Sequence, residues 1–104
     1  MEFNKLKHKF SAKPTEYDGI KFPSKKEAKR YNELKTLENL GEILFFLRQV
    51  AFPLSGNTKY VCDFLVFWTN GEITIEDVKG MKTDMYIMKK KMIEARYPFK
   101  ITEI

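Results

Sequence analysis

The fold is decided by residues 59–80, which have the sequence Lys59-Tyr-Val-Cys-Asp63-Phe-Leu-Val-Phe-Trp-Thr-Asn70-Gly71-Glu-Ile-Thr-Ile-Glu-Asp77-Val-Lys79-Gly80. Their β-branched and aromatic content predicts two strands joined at Asn70-Gly71. Both faces of the first strand are apolar, and one carboxylate, Asp63, interrupts them. One face carries Val61, Asp63, Leu65 and Phe67, and the other carries Cys62, Phe64, Val66 and Trp68. We therefore predict that this strand is central and buried on both sides.

The second strand ends with charges on its apolar face. Ile73 and Ile75 share one face, and strand geometry sends Asp77 and Lys79 to the same face. Burying an isolated charge costs several kcal/mol unless the charge is paired or binds a metal. Asp63, Asp77 and Lys79 therefore need a joint explanation.

This arrangement resembles the active-site pattern of the PD-(D/E)XK nuclease superfamily, with an Asp on one strand and Asp-x-Lys on the next. Within that superfamily, four segments resemble a family of small phage-encoded proteins long catalogued as a domain of unknown function. These segments are Tyr17-Asp-Gly-Ile-Lys-Phe22, Ser24-x-x-Glu27-Ala28, Asp63-Phe64 and Glu76-Asp-Val-Lys-Gly80. The resemblance extends from about Tyr17 to the end of the chain.

The order of the predicted elements agrees with that resemblance. Residues 1–16 form a basic arm without periodicity, and residues 17–104 form one domain that begins with a small hairpin. The further elements are a helix over 24–40 stopped by Gly41, strands over 42–54, 60–68 and 72–79, a helix over 84–97 with Asp84 as N-cap, and a strand over 99–104. The order α-β-β-β-α-β predicts an α/β fold with a mixed sheet and a restriction-endonuclease-like core.

Helical periodicity predicts which side of each helix is buried. The apolar stripe of the first helix comprises Ala28, Tyr31, Leu34 and Leu37. The inner stripe of the second helix comprises Met85, Met88, Met92 and Ala95, with Lys89, Lys90, Lys91 and Arg96 outside it.

Composition restricts the chemistry and the partners. The chain has one Cys and one His, so a bound metal would need oxygen ligands, which favours Mg²⁺ or Mn²⁺. The two ends of the chain are basic and the middle is acidic, which suits a polyanion bound around a cation site. No apolar run has transmembrane length and no signal peptide is evident, so we expect no membrane association and a cytoplasmic protein, in the host cytoplasm if it is phage-encoded.

The resemblance implies a role for each residue of the site. Asp63, Asp77 and the carbonyl of Val78 would bind the metal, and Lys79 would orient the attacking water. Glu27 has two interpretations, as the Glu of a capping box with Ser24 or as a further metal ligand. A buried ion pair of Lys79 with Asp63 or Asp77 is the alternative without metal, but one Lys cannot balance two carboxylates. Glu76 could replace Asp77, although strand parity favours Asp77.

These residues predict a Mg²⁺-dependent endodeoxyribonuclease that acts on DNA shape, branches or ends. The residues expected to bind DNA are Lys25, Lys26, Lys82, Lys89, Lys90, Lys91 and Arg96. We also expect a homodimer, an oligomeric state that would suit this activity. The alternative is a catalytically silent nucleic-acid-binding or regulatory phage protein on the same fold, and a phage protein that binds a host factor is a third option.

The register of the central hairpin tests the site. A two-residue turn on Asn70-Gly71 would pair Asp63 with Val78 and direct Asp77 to the other face. A three-residue loop, Thr69-Asn70-Gly71, with left-handed Gly71 in a bulge would pair Asp63 with Asp77 instead. We predict the three-residue loop, or another odd shift of register with the same parity, because the two-residue turn would put the two carboxylates on opposite faces.

Overall fold

The computed structural model describes residues 15–78 and 82–104. The chain divides into two units, the first ending at Thr36 and the second running from Leu37 to Ile104. The elements are β1 (Thr15–Tyr17), β2 (Ile20–Phe22), α1 (Lys25–Asn39), β3 (Ile43–Pro53), β4 (Lys59–Trp68), β5 (Ile73–Asp77), α2 (Asp84–Arg96) and β6 (Ile101–Glu103). No helix within these residues is long and apolar enough to cross a membrane.

The first unit begins with the predicted small hairpin. β1 and β2 pair antiparallel with Tyr17 opposite Ile20, and the turn residues Asp18 and Gly19 have φ of 56° and 73°. Two residues at positive φ are typical of a tight hairpin turn. Residues 15 and 16, which we assigned to the arm, belong to β1, while the rest of the arm, residues 1–14, lies outside the described residues.

Helix α1 begins and ends at the predicted signals. The Ser24 hydroxyl accepts a hydrogen bond from the Glu27 N–H at 3.1 Å, which is the geometry of an N-cap. At the other end Gly41 has φ of 83°, and the Glu42 N–H donates to the Leu37 carbonyl at 2.9 Å. Leu34 is fully buried, and Ala28 and Tyr31 are nearly so.

The second unit is built on a mixed sheet with the strand order β3-β4-β5-β6. The first three strands are antiparallel, and β6 lies parallel to β5 after the crossover through α2. β4 is an interior strand, and Cys62, Phe64 and Val66 in it have no solvent exposure. The predicted fold class, α/β with a mixed sheet, and the element order are confirmed.

The central hairpin has the predicted three-residue loop. The Gly71 N–H donates to the Trp68 carbonyl at 3.0 Å, and the Trp68 N–H donates to the Glu72 carbonyl at 2.9 Å. Gly71 has φ of 93°, the left-handed conformation that the bulge requires. The Glu72 N–H also donates to the Asn70 side chain at 2.9 Å, so Asn70 stabilises the loop locally.

The alternation of faces along β4 is interrupted at Asp63, which we did not predict. Cys62 and Leu65, three residues apart, belong to the same buried cluster, although regular alternation puts them on opposite faces. Opposite Asp63, between the ladder pairs formed by Arg48 and Val50, Gln49 has φ of 54°. Asp63 therefore lies at an irregularity in the pairing of the edge strand β3 with β4.

Helix α2 packs on the sheet through a different face from the predicted one. Its buried residues are Tyr86 and Ile93, whereas Met85 is 57% exposed and Met88 is 51% exposed. Thr83, not Asp84, is the N-cap, and its hydroxyl accepts the Tyr86 N–H at 3.1 Å. The prediction of an inner methionine stripe is wrong, because only Met92 of that set packs against the core.

Candidate functional site

The hairpin register brings Asp63 and Asp77 to the same level of the sheet. The last ladder pair between β4 and β5 joins Phe64 and Glu76, and Asp63 and Asp77 are the next residues of the two strands beyond this pair. Beyond this pair the Asp63 carboxylate accepts the Val78 N–H at 2.7 Å. Asp63 therefore caps the end of β5 with its side chain and is itself held in place.

Asp77 is buried to 2% exposure and accepts a short hydrogen bond from the Tyr60 hydroxyl. Tyr60 lies at the start of β4 and is 4% exposed. Burial raises the pKa of Tyr60 far above its ordinary value, and the hydrogen bond to Asp77 raises it further. Tyr60 is therefore a permanent neutral donor that orients the Asp77 carboxylate.

A third carboxylate, Glu103, continues the row on β6. The parallel register pairs Asp77 with Glu103, and the Ile104 N–H donates to the Asp77 carbonyl at 2.9 Å. The Glu103 carboxylate accepts from Lys82 at 2.8 Å, from the Tyr86 hydroxyl at 2.9 Å and from Lys90 at 3.3 Å. Lys82, then Tyr86 and Lys90, lower the pKa of Glu103 to about 2.

The thiol of Cys62, next to Asp63 in β4, has no nucleophilic character at neutral pH. Burial raises the pKa of Cys62 to about 11, and the charge of Asp63 contributes to the increase. A thiol with that pKa stays protonated at pH 7. The Cys62 thiol is therefore not a candidate nucleophile or thiolate ligand.

The donor set fits a hard divalent cation. Mg²⁺ is commonly held by one or two carboxylates, with waters and substrate phosphates completing its coordination. Asp63 and Asp77 supply the two carboxylates, and the Val78 N–H and Tyr60 O–H supply the outer hydrogen bonds that orient such ligands. In the part of the chain that the structure describes, no group of three or more His, Cys, Asp and Glu side chains could hold a metal. A cation here would therefore depend on water and substrate for its remaining ligands.

The other acidic residues that we considered are also buried. Glu27 lies in the first turn of α1 and is 3% exposed, and its backbone N–H donates to the Ser24 hydroxyl. Glu76 is 2% exposed and pairs with Phe64, so it lies on the face opposite Asp77, as strand parity predicted. The burial of Glu76 was not foreseen.

The predicted basic residues have different environments. Lys79 lies outside the described residues. Lys82 and Lys90 share Glu103, and the Lys89 ammonium donates to the Lys59 carbonyl at 3.1 Å. The remaining basic residues, all exposed, are Lys25, Lys26, Lys91 and Arg96.

Sequence reasoning missed Tyr60 and Glu103. Glu103 carried the same signal as Asp77, since Ile101 and Glu103 share one face of a strand, but we did not apply the parity argument to the last strand. Tyr60 carried no such signal, because a Tyr in a buried strand is most simply an apolar residue. Its contact with Asp77 depends on the irregularity at Asp63.

The fold is that of a small α/β protein whose central hairpin carries Asp63 and Asp77 just beyond its last ladder pair. The chain belongs to the family described as Protein of unknown function (DUF1064), whose model matches residues 7–103. No curated protein matches the sequence.

Proposed function

We propose that this protein is a PD-(D/E)XK-type, phage-type nuclease that hydrolyses DNA phosphodiester bonds with Mg²⁺ or Mn²⁺ in the cytoplasm. The observation that carries the proposal is the register of the central hairpin. It makes Asp63 and Asp77 the first residues beyond the last ladder pair, and Asp77 directly precedes Val78 and Lys79 in the sequence. The simplest turn on Asn70-Gly71 would have separated these carboxylates.

Each residue of the site has a defined task in this proposal. Asp63 and Asp77 would hold the cation, which when bound supplies charge neutralisation for phosphate and a more acidic water. The Val78 N–H and the Tyr60 hydroxyl keep the two carboxylates oriented. Lys79 would stabilise the negative charge that develops on the phosphate, as its counterpart does in the superfamily that the motif resembles.

The surrounding charges suit a DNA substrate. The chain has a formal net charge of +5, and Lys91 and Arg96 extend from α2 into solvent. Positive side chains outside the carboxylate pair would bind the DNA backbone without sequence information. We therefore propose that the enzyme selects DNA by shape, such as branches or ends, and acts as a homodimer on two strands.

The proposal is tested by incubating the purified protein with linear, nicked and four-way-junction DNA in Mg²⁺ or EDTA. Asp77→Asn and Lys79→Ala should each abolish metal-dependent cleavage while DNA binding stays nearly unchanged. Glu42→Gln, which removes an exposed carboxylate outside the site, is the matched control and should cleave normally. Cleavage by Asp77→Asn at the wild-type rate would show that Asp77 is not a ligand.

One observation favours a second candidate, a catalytically silent nucleic-acid-binding protein. Among residues 15–78 and 82–104 no three acidic, His or Cys side chains form a metal site, and the Tyr60 hydroxyl occupies one oxygen of Asp77. A silent protein would bind DNA equally well in Mg²⁺ and EDTA and would leave every substrate intact. Calorimetric titration with Mg²⁺ separates the candidates, because the nuclease predicts binding that Asp77→Asn removes.

A further inference from the structure

A groove in the second unit lies between the start of β4 and the first turns of α2. Its volume is about 500 Å³, which is within the range of sites that bind small organic ligands. It is lined by Thr58, Lys59, Tyr60, Val61, Thr83, Met85, Tyr86 and Lys89. None of the chemistry proposed for Asp63 and Asp77 uses this groove directly.

The charge of the groove is positive. Lys59 and Lys89 belong to the lining, and no acidic residue of the described chain does. The Lys89 ammonium donates to the Lys59 carbonyl at 3.1 Å, so it is held at the rim of the groove. This contact uses one of its three N–H donors. The groove therefore presents a localised cation that suits a phosphate group.

The remaining lining favours an apolar portion of the same ligand. Met85 is 57% exposed and Val61 is 38% exposed, so the groove has an apolar surface that nothing in the described chain covers. The hydroxyls of Thr58 and Thr83 already bond to the Ser55 carbonyl and the Tyr86 N–H. A flexible thioether such as Met85 packs well against flat rings. An anionic group joined to a planar apolar ring is the chemistry of a nucleotide.

One side chain, Tyr60, contacts both the groove and one of the proposed catalytic carboxylates. Tyr60 lines the groove, and its hydroxyl donates to Asp77. A DNA strand with one nucleotide in the groove would therefore bring a neighbouring phosphate towards Asp77. This geometry offers a way to fix the position of the strand relative to the carboxylates.

We propose that this groove binds one nucleotide of the DNA strand beside the cleaved bond. Its phosphate lies between Lys59 and Lys89, and its base packs on Met85 and Val61. The inference rests on the proposed nuclease function for the identity of the strand. Its test is a binding experiment, which does not require cleavage.

The experiment measures binding of a fluorescein-labelled single-stranded dT octamer by anisotropy in EDTA at several salt concentrations. Lys59→Ala and Lys89→Ala should each weaken binding, and each should reduce the slope of log affinity against log salt by about 0.7. Lys59→Arg and Lys89→Arg should keep the slope. Lys35→Ala and Lys100→Ala remove exposed lysines outside the groove and are the matched controls.

The base contact has its own test. Met85→Ala should weaken binding of the dT octamer without changing the salt slope, because it removes apolar contact and no charge. An abasic octamer should bind the wild-type protein more weakly than dT, and this difference should be smaller in Met85→Ala, which leaves only Val61 for the base. Far-UV circular dichroism confirms that each variant is folded.

The outcomes separate this inference from the proposed function. If Lys59→Ala and Lys89→Ala bind the octamer as tightly as the two control variants do, the groove is not a nucleotide site, even in a protein that cleaves DNA. If those variants lose binding but the wild-type protein cleaves no substrate with any metal, the groove is supported as a nucleotide site and the proposed nuclease activity is refuted.

Discussion

The hydrogen bond from Tyr60 to Asp77 leads to the most informative prediction, on the variant Tyr60→Phe. The substitution removes one hydroxyl and keeps the buried ring. Both partners are nearly inaccessible, at 4% and 2% exposure, so water cannot replace the lost donor. A hydrogen bond to a charged group contributes about 1.5–3 kcal/mol. We expect Tyr60→Phe to lower the free energy of unfolding by about 2 kcal/mol at pH 7.

The same variant should change how stability depends on alkaline pH. Burial and Asp77 raise the pKa of Tyr60 in the folded protein, and burial and Glu103 raise the pKa of Tyr86. Above pH about 10 the unfolded tyrosines lose protons that the folded protein retains, so stability falls as pH rises. Each such tyrosine contributes about 1.4 kcal/mol per pH unit. Tyr60→Phe should therefore remove about half of the decrease in the free energy of unfolding per pH unit that the two tyrosines produce.

Urea denaturation followed by tryptophan fluorescence at pH 7 and between pH 10 and pH 11 measures both effects. Tyr17→Phe is the matched control, because the Tyr17 hydroxyl donates to Asn32 at 2.7 Å from a side chain that is 41% exposed. An equal loss of stability in the two variants would refute the idea that the Tyr60 hydroxyl stabilises a buried carboxylate. If Asp77 binds a metal, calorimetry should also show that Tyr60→Phe lowers the affinity for Mg²⁺ by at least about tenfold.

Three further predictions concern the hairpin loop, the helix face and the acidic row. Gly71→Ala should lower the free energy of unfolding, measured by urea denaturation, by about 1–2 kcal/mol, because a residue with a Cβ is strained at φ of 93° even though the space around it is open. Gly71→Asn should lower it less. Equal stability of the wild-type protein and both variants would contradict the three-residue loop. Ile93→Ala, at a fully buried position, should lower the free energy of unfolding by about 2–5 kcal/mol, whereas Met88→Ala should change it by less than about 0.5 kcal/mol. A larger loss of stability in Met88→Ala would support the methionine stripe as the buried face. The pKa of Glu103 is lowered to about 2, so its stabilising effect is present above its ordinary pKa and is lost as pH falls towards 2. Glu103→Gln should therefore flatten the acid denaturation profile over that range, and an unchanged profile would show that the ion pairs with Lys82 and Lys90 contribute nothing.

The hairpin shows how far sequence reasoning can reach. The dipeptide Asn70-Gly71 by itself favours a two-residue turn, and that local rule fails here. The longer-range argument, that two carboxylates in apolar strands should share one face, predicted the three-residue loop that the structure has. The cost of burying separate charges outweighs the preference of one dipeptide for a turn type.

Helix α2 shows where sequence reasoning fails. Apolar residues surround this helix, so its sequence permits more than one stripe, and we predicted the methionine stripe. The residues of the helix that the structure buries are Tyr86 and Ile93. Tyr86 also donates its hydroxyl to Glu103, which Lys90 contacts at 3.3 Å. These partners lie in β6, which the helix sequence does not contain.

The row of carboxylates across the sheet bears on where the proposed cation would bind. Asp63, Asp77 and Glu103 lie on three neighbouring strands, the parallel register pairs Asp77 with Glu103, and Asp63 and Asp77 follow the last ladder pair between β4 and β5. A cation between Asp77 and Glu103 would compete with the ammonium groups of Lys82 and Lys90, which already contact Glu103. Asp63 accepts an uncharged N–H from Val78, and no ammonium group within residues 15–78 and 82–104 forms an ion pair with it. If the proposed cation binds, the lysines of Glu103 would therefore favour the Asp63 side of Asp77, next to the residue that precedes Lys79.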